Sequence, residues 1–476
     1  MSTHITLPLW LALAVGVLAA WALLDRLLMP SARWFIKSRA DKVLRDVGSR
    51  LKIHIRPFQK VKRQTLIDRL IFDERVQQAA QAFADERKMP REVALAQVQR
   101  YAREIVPAFN AYMYFRIGYW LGKTLSRSLY RVRIGFTDDA GLNAIPENAT
   151  VVFVMNHRSN MDYIIASYLA AERAALSYAV GEWAQVWGLQ QLIRAMGAYF
   201  VRRNSKDGLY RRVLERYIAM ATEAGVTQAV YPEGGLTKDG KLREPRFGVL
   251  DYMLRGFRAD GERDLIFVPL GLNYDRVLED RTQLLSGDTQ AAKPGRAQAA
   301  MKTLGFVGGQ AGLLLRSRWH RFGYACVNFG TPVSVRAWAA SRGVRIEALP
   351  KAERQAEVAA LGQHLMREVG RLIPVLPVPL VATVLLRHLG QPVSELDIKA
   401  AVSGLVHQLE ARGARLYLPR SDWDYALGAG LRMLRQRHMV DEYDGMYTPR
   451  ASEAALLSYY ANSIAHLLPP ADAAQA

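Results

Sequence analysis

Cysteine is nearly missing from this chain: 476 residues contain one, Cys326. That excludes an internal disulfide and suits a reducing compartment. Its surroundings, Tyr324-Ala-Cys-Val-Asn-Phe329, read as a buried strand, so Cys326 is expected in a core rather than as a nucleophile. The first 24 residues hold no Lys or Arg, so the charged n-region of a secretory signal is lacking. No Gly-x-Ser-x-Gly elbow and no His-Glu-x-x-His metal site occurs. A P-loop is almost present at Gly235–Lys241. However, Leu242 stands where a Ser or Thr hydroxyl should hold Mg²⁺, and Pro245 spoils the helix that should follow. Acidic residues are also short, 44 Asp and Glu against 64 Lys and Arg, for a formal charge of +20. Such an excess points to anionic partners: a membrane surface, phosphorylated substrates or nucleic acid.

Long apolar runs are few. Ile5–Leu24 is uncharged, mostly apolar and long enough to cross a bilayer, and we read it as an uncleaved anchor. Between Asp25 and Arg75 there are 14 Lys/Arg and 6 Asp/Glu. The positive-inside rule then puts the N-terminus outside and the rest of the chain in the cytoplasm, at the inner membrane. The same stretch should sit on anionic headgroups. The next most apolar run, Leu372–Leu386, is short and holds Pro374, Pro377 and Pro379, so it is expected in a core or an apolar surface. Asn110–Leu129 is aromatic and apolar but interrupted by Arg116 and Lys123, which suits a membrane interface or a buried helix.

From residue 131 onward, strand and helix patterns alternate. Arg131–Phe136, Val151–Met155, Ala198–Val201, Gln228–Tyr231, Leu265–Pro269 and Tyr324–Phe329 read as strands, with helices at Ile164–Glu172 and Tyr210–Ala224. This succession predicts an α/β fold with a mostly parallel central sheet flanked by helices. Amphipathic patterns at Phe72–Arg87 and Glu92–Glu104 precede it. After Gln391, two helical patterns and an Asp444-Gly445 hairpin signal predict a smaller C-terminal α+β region. Helices followed by a hairpin suggest a winged helix, but no concentrated basic recognition helix is present, so no nucleic-acid partner is expected.

The chemistry gathers at Thr150-Val-Val-Phe-Val-Met-Asn-His157-Arg-Ser-Asn-Met-Asp162-Tyr163. A buried-strand pattern turns abruptly polar and then helical, and open α/β sheets place ligands at such carboxyl ends. On one continuous helix His157 and Asp162 would lie about 140° apart. They can face each other only with His157 on the turn and Asp162 in the first helical turn. Ser159-x-x-Asp162 also fits a capping box. The functional reading makes His157 a general base oriented by Asp162, and a cap residue can serve both ends. Three more segments end in polar turns: Gly197–Arg203 with Arg202 and Arg203, Tyr231–Lys241 with Glu233, Gly234, Gly235, Lys238 and Lys241, and Val268–Asp275. Parallel strands would bring all four turns to one cleft, where arginines suit bidentate phosphate binding.

These blocks, His157-Arg-Ser-Asn-Met-Asp162-Tyr163, Gly197–Arg203, Glu233-Gly234-Gly235 with Gly240-Lys241-Leu242, and Val268-Pro269 with Asn273-Tyr274, closely resemble the four ordered blocks of the glycerolipid acyltransferases. The best match is the bacterial membrane-bound glycerol-3-phosphate acyltransferase family. It extends to Asn328–Pro332, Val378–Leu386 and Tyr459–His466, covering about residues 110–468. The resemblance implies direct acyl transfer from acyl-CoA or acyl-carrier protein to the sn-1 hydroxyl of glycerol-3-phosphate, beside membrane lipid, with no metal or bound cofactor. His157 and Asp162 would be catalytic; Arg158, Ser159, Arg202, Arg203, Glu233, Gly234, Gly235, Lys238 and Lys241 would bind substrate. Together with the hydropathy and charge pattern it divides the chain into four expected regions: a transmembrane anchor over 1–24 and a basic helical membrane-proximal linker over 25–109, both unlike the family's longer N-terminal region, then an acyltransferase domain over 110–345 and a mainly helical domain over 346–476. Two departures bear on the acceptor. Leu236-Thr237-Lys238 replaces the family's Arg-Ser-Arg, and Asn160 stands where a second His is common. The remaining alternative is another acceptor, lysophosphatidate or a different polar-lipid alcohol.

Overall fold

The computed structural model describes residues 56–170, 175–181, 189–202, 205–287, 322–417 and 422–469. The anchor expected over 1–24, the basic stretch up to residue 55 and Arg203 lie outside the described residues. Among the described residues, no helix is long and apolar enough to cross a membrane.

Three amphipathic helices open the described chain: α1 (Arg63–Ile71), α2 (Glu74–Glu86) and α3 (Arg91–Ile105). In α2 the buried positions are Val76, Ala80 and Ala84, one stripe at helical spacing, and the Asp73 carboxylate caps it by accepting from Arg75 N–H. A π-helical turn over Met113–Gly118 leads into α4 (Tyr119–Leu129).

The apolar runs then form an eight-stranded sheet: β1 (Arg131–Thr137), β2 (Thr150–Met155), β3 (Ser177–Val180), β4 (Tyr199–Phe200), β5 (Gln228–Val230), β6 (Leu265–Tyr274), β7 (Tyr324–Phe329) and β8 (Val333–Ser334). Its order is β1-β7-β6-β2-β5-β3-β4, with β8 beside β6. The pairs from β6 through β4 are all parallel, as are β1 and β7, while β7 and β8 run antiparallel to β6. The mostly parallel sheet is thus present, with antiparallel strands at one side.

Alternating residues of the central strands face two cores. Val152 and Val154 of β2 and Phe267 of β6 pack with α1, α2, α3, α6 (Gly208–Glu223) and α7 (Gly248–Leu254). Met155 of β2 with Val268 and Leu270 of β6 face the opposite core, which takes in α5 (Met161–Ala170). A short helix, α8 (Asp280–Gly287), follows β6. Helix α9 (Lys351–Leu372) joins the first core; α10 (Pro377–Leu385), α11 (Glu395–Ala411), α12 (Trp423–Gln436) and α13 (Ala454–Ala461) join the second. The proline-broken run is therefore core: Pro377 sits at the first turn of α10, where its missing N–H costs nothing, and eight of that helix's nine residues are buried.

The hairpin signal is realised by β10 (Val440–Tyr443) and β11 (Met446–Pro449), with Asp444 and Gly445 both at positive φ, and β9 (Val393–Ser394) adds a third strand. One expectation fails. Val268–Asp275 is not a polar turn, because β6 continues to Tyr274, pairing with β2 along its first half and with β7 along its second. The polar residues Asn273 and Tyr274 are strand residues buried beneath the site.

Candidate active site

The carboxyl ends of β2, β3, β4 and β5 open on one cavity of about 230 Å³. It is lined by His157 after β2, Gly181 after β3, Val201 and Arg202 after β4, and Tyr231, Pro232, Gly234 and Gly235 after β5, with Tyr163, Arg246 and Gly248–Leu250. This is the crevice position expected of an open parallel sheet.

His157 lies on the turn and Asp162 is the second residue of α5, the arrangement their spacing requires. His157 Nδ1 is 2.9 Å from Asp162 Oδ2. Since a carboxylate accepts only, Nδ1 carries the proton and Nε2 keeps its lone pair. Tyr163 Oη, 3.4 Å away, is the hydroxyl closest to Nε2 among the hydrogen bonds of the described residues. The same Oδ2 accepts from the backbone N–H of Arg158 at 2.7 Å and Ser159 at 3.0 Å, and Oδ1 accepts from Tyr274 Oη at 2.5 Å. Ser159 Oγ accepts from Met161 N–H at 3.1 Å. The capping box and the His–Asp pair therefore coexist in one carboxylate.

Glu233 braces the turn from β5. Its Oε1 accepts from His157 N–H at 2.7 Å and its Oε2 from Arg243 N–H at 2.9 Å. Burial pushes this carboxyl up to about 7 against those two donors and nearby Arg158, which favour the ionised form. Glu279 braces the other side, accepting from Ser159 Oγ at 2.8 Å and Asn160 N–H at 3.2 Å. Burial raises it too, to about 7.

Of the other sequence candidates, Gly234 and Gly235 line the cavity. Arg202 does as well, but its guanidinium is held by both Glu104 oxygens, at 2.8 and 2.5 Å, and that bond raises its pKa. Arg158 and Ser159 do not reach the cavity. The buried Arg158 guanidinium bonds Asn273 Oδ1 at 2.6 Å and the Gly240 carbonyl, and its charge lies over the Tyr459 ring. Ser159 is taken by Glu279. Glu233 points inward to backbone, so it positions rather than contacts a ligand. Lys238 and Lys241 are exposed and absent from the cavity wall, because the loop after Gly235 folds over the His157 turn, Thr237 N–H bonding His157 O at 3.1 Å. Arg203 lies outside the described residues. Sequence reading missed Arg246, whose chain crosses Gly234; a Cβ there would meet Arg246 Cδ at 3.2 Å. The Pro245-Arg246 step after Gly240-Lys241 was its only trace. It also missed the brace Glu279, which carries no motif.

Among the described residues, no group of His, Cys, Asp and Glu is arranged to hold a metal.

Comparison with known proteins gives the class first. Residues 138–273 match the acyltransferase family model, and residues 311–474 match that of the glycerol-3-phosphate acyltransferase C-terminal region. Proteins called glycerol-3-phosphate acyltransferase share 28% identity over 455 residues in Ectopseudomonas mendocina, 23% over 421 in Alteromonas mediterranea and 26% over 449 in Pseudomonas fluorescens. These matches cover 90%, 86% and 90% of this chain but 52%, 50% and 51% of the relatives, so the chain spans about half the length of the curated relatives it matches. The 1-acyl-sn-glycerophosphate (LPA) acyltransferase of Thermotoga maritima, a solved structure, is 16% identical, with a TM-score of 0.31 over 53% of this chain and 78% of that one. That likeness is too low to carry an inference. By these matches the chain is similar to the glycerol-3-phosphate acyltransferases, a class within the glycerolipid acyltransferases.

Proposed function

We propose that this protein transfers a fatty acyl group from a thioester, acyl-CoA or acyl-carrier protein, to the sn-1 hydroxyl of glycerol-3-phosphate. The observation that carries the reading is the pairing of His157 Nδ1 with Asp162 at the wall of a mostly apolar cavity that two arginines also line. With Nδ1–H fixed on the carboxylate, Nε2 accepts the acceptor's hydroxyl proton as its oxygen attacks the thioester carbonyl. That oxygen takes the place beside Nε2 that the Tyr163 hydroxyl holds at 3.4 Å. The imidazolium then returns its proton to the leaving thiolate, so the reaction closes without an acyl-enzyme.

The acceptor's phosphate calls for a fork of donors. Leu236 cannot supply one. Arg246, on the cavity wall beside Gly234, offers the guanidinium that the sequence block lacks. Apolar Ala179, Val180, Val201, Val230 and Val249 line the rest and suit an acyl chain. The donor's acyl chain and the acylated product belong at a lipid surface, which fits the +20 charge and an inner-membrane location.

The test is a product mass spectrum from purified protein given palmitoyl-CoA with glycerol-3-phosphate or with lysophosphatidate. Expected is 1-acyl-glycerol-3-phosphate; phosphatidate alone would reassign the acceptor. His157→Ala should lower thiol release by about a hundredfold to ten-thousandfold while the fold, read by circular dichroism, is kept. Arg246→Ala should raise the acceptor's KM about tenfold or more, with Arg246→Lys intermediate, since a point charge replaces a fork. A rise confined to the donor's KM would assign Arg246 to the CoA phosphates.

A further inference from the structure

One apolar helix face stays partly exposed among the described residues. On α4 and the turn before it, Ile117, Trp120, Leu121, Thr124 and Leu125 recur at three- and four-residue spacing, one side of the helix. Trp120 is 64% exposed, Leu121 42%, and Ile117 and Leu125 36% each. Beside this stripe stand Arg116, Lys123 and Arg127, and residues 110–129 contain no Asp or Glu. The opposite side is made of small residues. Gly118, Gly122 and Ser126 are buried, and a Cβ at Gly122 would lie 3.5 Å from Ile164 Cγ2 of α5. Thus α4 lies flat on the helix that carries Asp162 and Tyr163 and turns its apolar stripe away from the protein.

We infer that this stripe seats the protein on an anionic lipid bilayer, with α4 lying in the headgroup region directly over the catalytic helix. An apolar stripe with an amphipathic Trp, bordered only by cations, matches the interfacial profile of headgroup and acyl boundary. Charge complementarity selects a lipid surface over an apolar protein partner. The arrangement adds to the acyl-transfer reading, and rests on it, in one respect: it puts the source of acyl chains and the sink for product beside the cavity.

Cys326 is the only cysteine in the chain and is buried, so a cysteine placed on the surface can be labelled alone. The full chain carrying Thr124→Cys, labelled with an environment-sensitive dye, is reconstituted with phosphatidylcholine vesicles containing phosphatidylglycerol. A dye at Glu353→Cys, exposed on α9 across the sheet, is the comparison. The expected result is a blue-shifted emission at residue 124, quenched by brominated acyl chains, with neither effect at residue 353. Trp120→Glu with Leu125→Glu should abolish both effects at an unchanged vesicle-bound fraction. An aqueous emission at 124 on vesicle-bound protein overturns the inference. So does a shift that needs no lipid and grows with protein concentration, which would make a second copy the occupant. The readout is the same in a His157→Ala background, so failure of the acyl-transfer reading and failure of this one are told apart.

Discussion

A single carboxylate does most of the local work. Asp162 holds the His157 ring, two backbone N–H groups and the Tyr274 hydroxyl, so its position on the first turn of α5 is fixed from four directions. This part of the site was legible in the sequence because it is local: a polar turn between a buried strand and a helix, with five residues separating ring and carboxylate. Glu279 and Arg246 were not legible, since 120 residues separate Glu279 from Ser159 and no short pattern encodes such a contact. Glu279 also sets a pH dependence. Its carboxyl is raised to about 7 by burial, above the ordinary value of 4.5. Between these values the folded protein keeps a proton that the unfolded chain has released. Stability is therefore full below about pH 4.5 and lost as pH rises through about 7, by on the order of 3 kcal/mol. Glu279→Gln is neutral in both states and should lose less stability between about pH 5 and pH 8 in thermal melts. The decline should be shallower rather than flat, because Glu233 and Asp275, raised by burial to about 7 and about 6, act in the same direction. An unchanged slope would mean that Glu279 is ionised throughout.

At the scale of elements, strand and helix patterns foretold most of the sheet, β4 included, but missed β3, β8 and the last part of β6. The polar end of β6 read as a turn because Asn273 is unusual inside a strand; here the side chains of Asn273 and Tyr274 bond buried partners, Pro374 O and Asp162. The two-residue β4 and eight-residue α13 matter through where they are held rather than through any periodicity of their own. The loop Gly235–Lys241 resembled a phosphate-binding loop, yet its glycine does something else. Gly240 has φ +85°, and a Cβ on it would lie 1.8 Å from the Tyr459 carbonyl of α13. Gly240→Ala should therefore cost on the order of 3 kcal/mol and displace Arg158, whose guanidinium bonds the Gly240 carbonyl. Gly413→Ala, at φ +73° with open space around it, should cost only about 1 kcal/mol. Denaturant melts of the two variants separate a packing cost from a purely conformational one.

Across the whole molecule, both faces of the sheet are closed by helices from the far end of the chain. The α9 helix joins one core and α10 to α13 the other. Asn273 Nδ2 bonds Pro374 O and Asn328 Nδ2 bonds Leu372 O, tying the central strands to the segment after α9. The buried Arg437–Asp280 ion pair, at 2.7 Å, ties the segment after α12 to the start of α8. A chain ending at Arg345 should then expose the apolar faces of β2 and β6. We expect it to be insoluble, or to melt without a cooperative transition, by calorimetry. A stable, active fragment would show that the later helices are dispensable. Net charge pointed to anionic partners but to no particular surface, because it sums over residues without regard to their arrangement.

The contact between Gly240 and Tyr459 also bears on synthesis. A ribosome releases the His157 turn long before it reaches the residues that press on the neighbouring loop. Until then Gln283, which bonds the Arg158 carbonyl, lacks the Tyr459 hydroxyl that it accepts from in the folded protein. The nascent polypeptide therefore carries the His157 turn before it carries the α13 residues that brace the neighbouring loop.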